Sequence, residues 1–112
     1  MDRHSVDAET HEMAIKQAAF CEVFGNPTRV LILWALGERE MSVSDIALTI
    51  KASLQNTSQH LRLMKDKGIL VSRRERQMVY YRIAENELIH NCQLVTQARQ
   101  IEALREKQAV SS

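Results

Sequence analysis

Two short helices separated by only three residues constrain this chain more than any other feature of its sequence. Ser42-Val43-Ser44-Asp45 has the form of a capping box, with Asp in place of the usual Glu or Gln. It predicts a short helix whose Ile46, Ala47 and Ile50 face inward. Lys51, Ala52 and Ser53 follow, and Ser53 is itself a favoured N-cap. The next helix is predicted to run to Gly68, which can take the left-handed conformation that ends helices; Lys65 and Lys67 lie where the macrodipole favours cations. Leu54, Thr57, Leu61 and Met64 recur at spacings of three and four, a single stripe expected to be buried. Two helices joined this tightly make a helix-turn-helix over residues 42–68, with the second helix aimed at a DNA major groove.

The opposite face of that second helix carries Gln55, Asn56, Ser58, Gln59, His60 and Arg62. Amides, hydroxyls and cations are the groups that read base edges and hold phosphates. Arg62 and Lys51 suit phosphate, the amides suit adenine, and Ser53 at the helix start is a further candidate for DNA contact. A plain solvated helix face would look the same in isolation, so the neighbours decide. The net charge of +1 conceals one of them. Between Lys51 and Ile83, eight Lys or Arg stand against Asp66 and Glu75, a surplus of +6, whereas the remainder has seven basic and twelve acidic residues, or −5. A cationic middle between acidic ends suits a polyanion. After Gly68, Ile69-Leu70-Val71 and Met78-Val79-Tyr80-Tyr81-Arg82-Ile83 read as strands, joined by the basic connector Ser-Arg-Arg-Glu-Arg-Gln. We read residues 69–83 as a wing, with Arg73, Arg74, Arg76 and Gln77 toward phosphates or the adjacent minor groove. The competing reading, in which the arginines only blunt an exposed edge strand, is disfavoured by the helix-turn-helix directly before them.

Upstream, Met13 or Ala14, Ala18, Phe20 or Cys21 and Phe24 predict an amphipathic helix over about 7–24, ended by Gly25. Asn26 as N-cap and Pro27 at the first helical position open a strongly apolar helix (Val30, Leu31, Leu33, Trp34, Leu36) that stops at Gly37 and is expected to be the most buried element. Downstream, Leu88, Cys92, Val95, Ala98, Ile101 and Leu104 predict one long helix over 86–107. A stripe so far from the central core needs a partner, and the same stripe with the first helix on a second copy is the simplest one. The expected fold is mainly α (α+β): one winged helix-turn-helix domain over 1–112, about five helices plus a two-stranded hairpin wing, a homodimer through the first and last helices. The apolar and charged fractions, 45% and 26%, are those of a soluble globular chain. No apolar run reaches the ~18 residues of a membrane span, and Met-Asp-Arg-His-Ser-Val-Asp has no signal-peptide core, so a cytoplasmic protein is expected. Ser58 and His60 lie two apart on a helix and diverge, with no acid to orient the His, so no catalytic site is expected.

Four stretches together resemble the ArsR/SmtB family of bacterial and archaeal winged-helix repressors: Phe24-Gly-Asn-Pro-Thr-Arg29-Val-Leu-Ile-Leu, Met41-Ser-Val-Ser-Asp-Ile-Ala, Ser58-Gln-His-Leu-Arg-Leu-Met-Lys with Gly68-Ile-Leu, and Arg73-Arg-Glu-Arg-Gln-Met-Val-Tyr-Tyr-Arg82. They occur in order across roughly residues 20–83. The resemblance implies a homodimer on an inverted-repeat operator in double-stranded DNA, released by an inducer. A winged-helix module that binds protein instead of DNA is the alternative. The family's sensing motifs do not match. Ser42 and Ser44 stand where a Cys-Val-Cys metal site has thiolates, His90 with Asn91 and Cys92 replaces the last-helix ligand set, and Trp34 takes the place of an oxidant-sensing cysteine. No metal ion or cofactor is therefore expected, and the effector is not the usual metal. Cys21 and Cys92 remain as a thiol effector site if their helices pack together, against the ordinary role of free cysteines as small hydrophobes. Two departures touch DNA reading: Lys51 replaces a turn Gly, which implies a backbone either slightly strained or differently shaped, and Leu54 replaces a position often polar in relatives.

Overall fold

The helices begin on side chains equipped to start them. The computed structural model describes residues 7–90 and 92–111. Helix α1 (Ala8–Glu22) is capped by Asp7, whose carboxylate accepts from the Thr10 amide at 2.7 Å. A 3-10 turn, Val23–Gly25, leads to Asn26, whose Oδ1 accepts from the Thr28 amide at 2.9 Å at the head of α2 (Pro27–Leu36). Strand β1 (Met41–Ser42) runs into α3 (Val43–Ile50), where the Ser42 hydroxyl accepts from the Asp45 amide at 3.1 Å. Ser53 does the same for Asn56, again at 3.1 Å, at the start of α4 (Leu54–Asp66). Gly68, at φ +81°, closes α4: its amide reaches the Lys65 carbonyl at 3.0 Å and the Ile69 amide reaches Met64 at 2.9 Å, the paired bonds of a Schellman end. The chain continues through β2 (Leu70–Glu75), β3 (Met78–Ile83), α5 (Glu87–His90) and α6 (Gln93–Ser111).

The core forms where α2, α3, α4 and the start of α6 meet the sheet. Ile32, Leu33 and Leu36 of α2, Ile46 of α3, and Thr57, Leu61 and Met64 of α4 are fully buried against Ile69, Leu70, Ile89 and Val95. The strands pair antiparallel in the order β1-β3-β2, from Leu70↔Ile83 to Glu75↔Met78 on one side of β3 and Met41↔Tyr81 and Ser42↔Tyr80 on the other. This positions α4 beside the wing.

Three expectations are corrected. The sheet has three strands, because Met41–Ser42 adds an edge to the expected hairpin. The last helix is broken: the Asn86 Oδ1 caps α5 by accepting from the Ile89 amide at 3.0 Å, its Nδ2 donates to the Gly68 carbonyl at 3.0 Å, and α6 starts only at Gln93. The stripe on that helix does not wait wholly for a second copy, since Cys92, Val95 and Ala98 are buried in their own chain's core, where α6 packs on α2. Leu104, farther along, is exposed. Helix α1 buries only Phe20, leaving Met13 63% and Ile15 59% exposed.

Candidate nucleic-acid interface

Helix α4 buries Thr57, Leu61 and Met64 and turns the intervening positions outward. Gln55, Asn56, Gln59 and Arg62 are exposed; Ser58 and His60 are half-buried. Ser53 is exposed with its hydroxyl committed to the cap. Lys51 is exposed beside the helix start at φ 58°, ψ 47°, a left-handed conformation that glycine takes without cost. Leu54 departs from the expected stripe. It sits at the first position of α4, and it is 56% exposed.

His60 does not point freely outward. Its Nδ1 accepts from Arg29 Nε at 3.2 Å, and the same guanidinium donates through Nη1 to the Val23 carbonyl at 3.1 Å. An Nδ1 that accepts cannot carry the proton, so the neutral ring bears it on Nε2. Burial, and then the Arg29 charge, hold the imidazole below its ordinary pKa. Arg29 was visible only as part of the Asn-Pro-Thr-Arg stretch; nothing in its spacing discloses a bond to a residue 31 positions later.

The wing arginines divide. Arg73 Nε lies 2.9 Å from both Glu40 oxygens, its Nη2 is 2.7 Å from Glu40 Oε1, and its Nη1 is 2.8 Å from Glu75 Oε2. Its guanidinium carbon stands 4.6 Å from the centroid of the Tyr80 ring, its cross-strand neighbour. Two carboxylates and an aromatic face thus hold the Arg73 cation against the wing, and the Arg73 hydrogen bond keeps the Glu40 carboxyl below the usual range. Arg74, Arg76 and Gln77 stand exposed at the tip, with Arg76 at φ 57° in the two-residue turn.

The two thiols differ in setting. Cys21 is exposed on α1, with Gln17 Nε2 3.5 Å from its Sγ; Cys92 is buried among the core side chains, and both are free. Among the described residues no three His, Cys, Asp or Glu gather to hold a metal ion, and no helix is long and apolar enough to cross a membrane. Ser42 is buried and spends its hydroxyl on the α3 cap.

A helix-turn-helix domain model matches residues 24–73. The HTH-type transcriptional regulator KmtR of Mycobacterium tuberculosis is 39% identical over 80 residues, 69% of this chain and 59% of KmtR. The transcriptional repressor SmtB homolog of Synechocystis sp. is 29% identical over 79 residues, 70% of this chain and 60% of the homolog. The crystal structure of NolR from Sinorhizobium fredii is similar with a TM-score of 0.65 and 31% identity, over 78% of this chain and 87% of NolR. The chain spans about 60% of the length of KmtR and of the SmtB homolog. A capped reading helix packed between a short partner helix and a braced wing defines the winged helix-turn-helix class of transcriptional regulators. Within that class, the likeness to these proteins is family-specific: the chain belongs to the ArsR/SmtB family.

Proposed function

We propose that two copies of this chain form a cytoplasmic repressor that binds an inverted-repeat operator in double-stranded DNA and leaves it when an effector other than the usual metal ion arrives. The observation that carries this reading is the shared exposure of Gln55, Asn56, Gln59 and Arg62 on α4 with Arg74 and Arg76 on the wing. An Asn or Gln pairs bidentately with adenine, while Lys51, Arg62 and the wing cations hold phosphate. The exposed α1, with Met13 at 63% and Ile15 at 59% exposure, together with Leu104 of α6 at 60%, supports dimerisation. In the dimer two α4 helices meet half-sites about one duplex turn apart. Hydroxyls at Ser42 and Ser44 do not supply the thiolates that a soft metal needs, and Cys92 is read here as a core hydrophobe.

Salt-dependent DNA binding tests the proposal. Lys51, Arg62, Arg74 and Arg76 on each of two chains would give a log–log salt slope of about −7. An Arg74→Ala, Arg76→Ala protein should bind every sequence more weakly, with a slope flatter by about 3.5. Retention on duplex DNA that ignores salt would overturn the reading, and an unaltered slope in the double variant would remove the wing from the footprint.

A further inference from the structure

Leu54 is an apolar residue left uncovered beside the polar face of α4. At the first position of α4 it is 56% exposed, and Met78, which opens β3 directly after the wing turn, is 41% exposed. Between them lies an open notch of about 200 Å³, walled by Val43 and Val79 and edged by Ser58 and Gln77. Its lining takes in Ser58 from α4 and Gln77 from the wing turn, next to Arg76, so a duplex held by α4 and the wing tip would lie over it. Exposed apolar surface at such a position costs free energy until something apolar covers it.

The occupant follows from the chemistry of the major groove. Residues at the start of a reading helix meet base edges. Amino groups, ring nitrogens and carbonyl oxygens make up those edges, and the one apolar substituent that projects from them is the C5-methyl of thymine. A leucine at this place desolvates polar edges without return over any other base, and gains contact only over that methyl. Resting on the DNA-binding reading above, we propose that Leu54, backed by Met78, reads a thymine methyl in each operator half-site. Gln77 and Ser58 at the rim are placed to hold the neighbouring polar edge or phosphate, which fixes the register of the methyl in the notch.

The test deletes the methyl without touching the protein. An operator selected from random duplexes is re-made with each thymine replaced in turn by uracil. One position per half-site should lose affinity about fourfold, the effect of exposing one methyl, and replacement in both half-sites should cost roughly fifteenfold. Leu54→Ala should bind the thymine and uracil operators equally, whereas Leu54→Met, which keeps an apolar reach, should retain the uracil penalty. Urea unfolding of both variants checks that the exposed site is altered without loss of fold. Selective binding with no uracil-sensitive position overturns this proposal alone, as does a Leu54→Ala protein that keeps the full penalty or loses affinity for both operators alike while still discriminating them. Absence of any selective binding to duplex DNA overturns the DNA-binding reading beneath it, and this proposal with it.

Discussion

Lys51 separates two roles that one residue seldom shows so cleanly. It closes α3 in the left-handed conformation at φ 58°, ψ 47°, and its side chain is exposed. A non-glycine residue there costs about 1–2 kcal/mol from the clash of Cβ with its own backbone. Lys51→Gly removes that clash but gives the unfolded chain more freedom, worth about 0.5–1 kcal/mol in the other direction. The net expectation is a gain of about 0.5–1 kcal/mol per chain, or roughly 4 °C in Tm for a domain this size. Lys51→Ala removes the charge and keeps the clash, so it should show no such gain; Lys51→Asn should fall between, because Asn tolerates this conformation. The turn's own bonds, such as the Ala52 amide to the Ala47 carbonyl at 3.0 Å, involve only backbone and survive each change. Urea unfolding at one fixed protein concentration reads the stabilities, and salt-dependent DNA binding reads the charge. Gly and Ala variants should both lose about one unit of salt slope per half-site. A Gly variant no more stable than the Ala variant would refute the strain argument.

Thr57→Val should stabilise the fold by about 1 kcal/mol, since the Thr57 Oγ1 is buried without a hydrogen-bond partner among the described residues and valine keeps its shape; a lower urea midpoint would contradict this. Glu40→Gln withdraws a carboxylate from Arg73 and should steepen the salt slope of DNA binding by roughly one unit per half-site as that cation turns to phosphate. If the slope does not move, Arg73 is only a brace. His60 binds its proton less firmly in the native state than at its ordinary value of 6.5, so below that pH the unfolded chain holds more protons and stability falls as pH falls through the native pKa. His60→Asn keeps an acceptor for Arg29 and cannot titrate, so its stability should be flatter across the same window; an equal pH dependence would place the effect elsewhere.

What was legible in the sequence is what a few adjacent residues decide. Asn26, Ser42, Ser53 and Gly68 each mark a helix end by satisfying one or two local backbone groups, and the structure uses all four. Contacts between distant segments were not legible. Nothing in Met41–Ser42 announces a strand, because two residues have no period and their partners are Tyr80 and Tyr81. The bidentate grip of Glu40 on Arg73 spans 33 positions, and a count of wing cations therefore overstates those available to DNA. Leu54 fits the spacing of the buried stripe, but at the first turn of α4 the neighbouring elements are the wing tip and the start of α3, which leave a notch where the periodicity expects a wall.

The same limit applies to α1, and there it bears on assembly. A helix of 15 residues is marginal in water when nothing packs on it, and this one buries only Phe20 in its own chain. Its exit is nonetheless fixed: the Val23 carbonyl accepts from Arg29, and the same guanidinium holds His60 on the outer part of α4. One side chain therefore bonds both the turn that leaves the uncovered helix and the helix that faces DNA. A second copy lying on Met13 and Ile15 would bury apolar surface that the lone chain cannot, so helix α1, dimer and reading head are expected to be stabilised together, with a thermal midpoint that rises with protein concentration. A midpoint that stays constant over a hundredfold dilution would separate α1 from the interface.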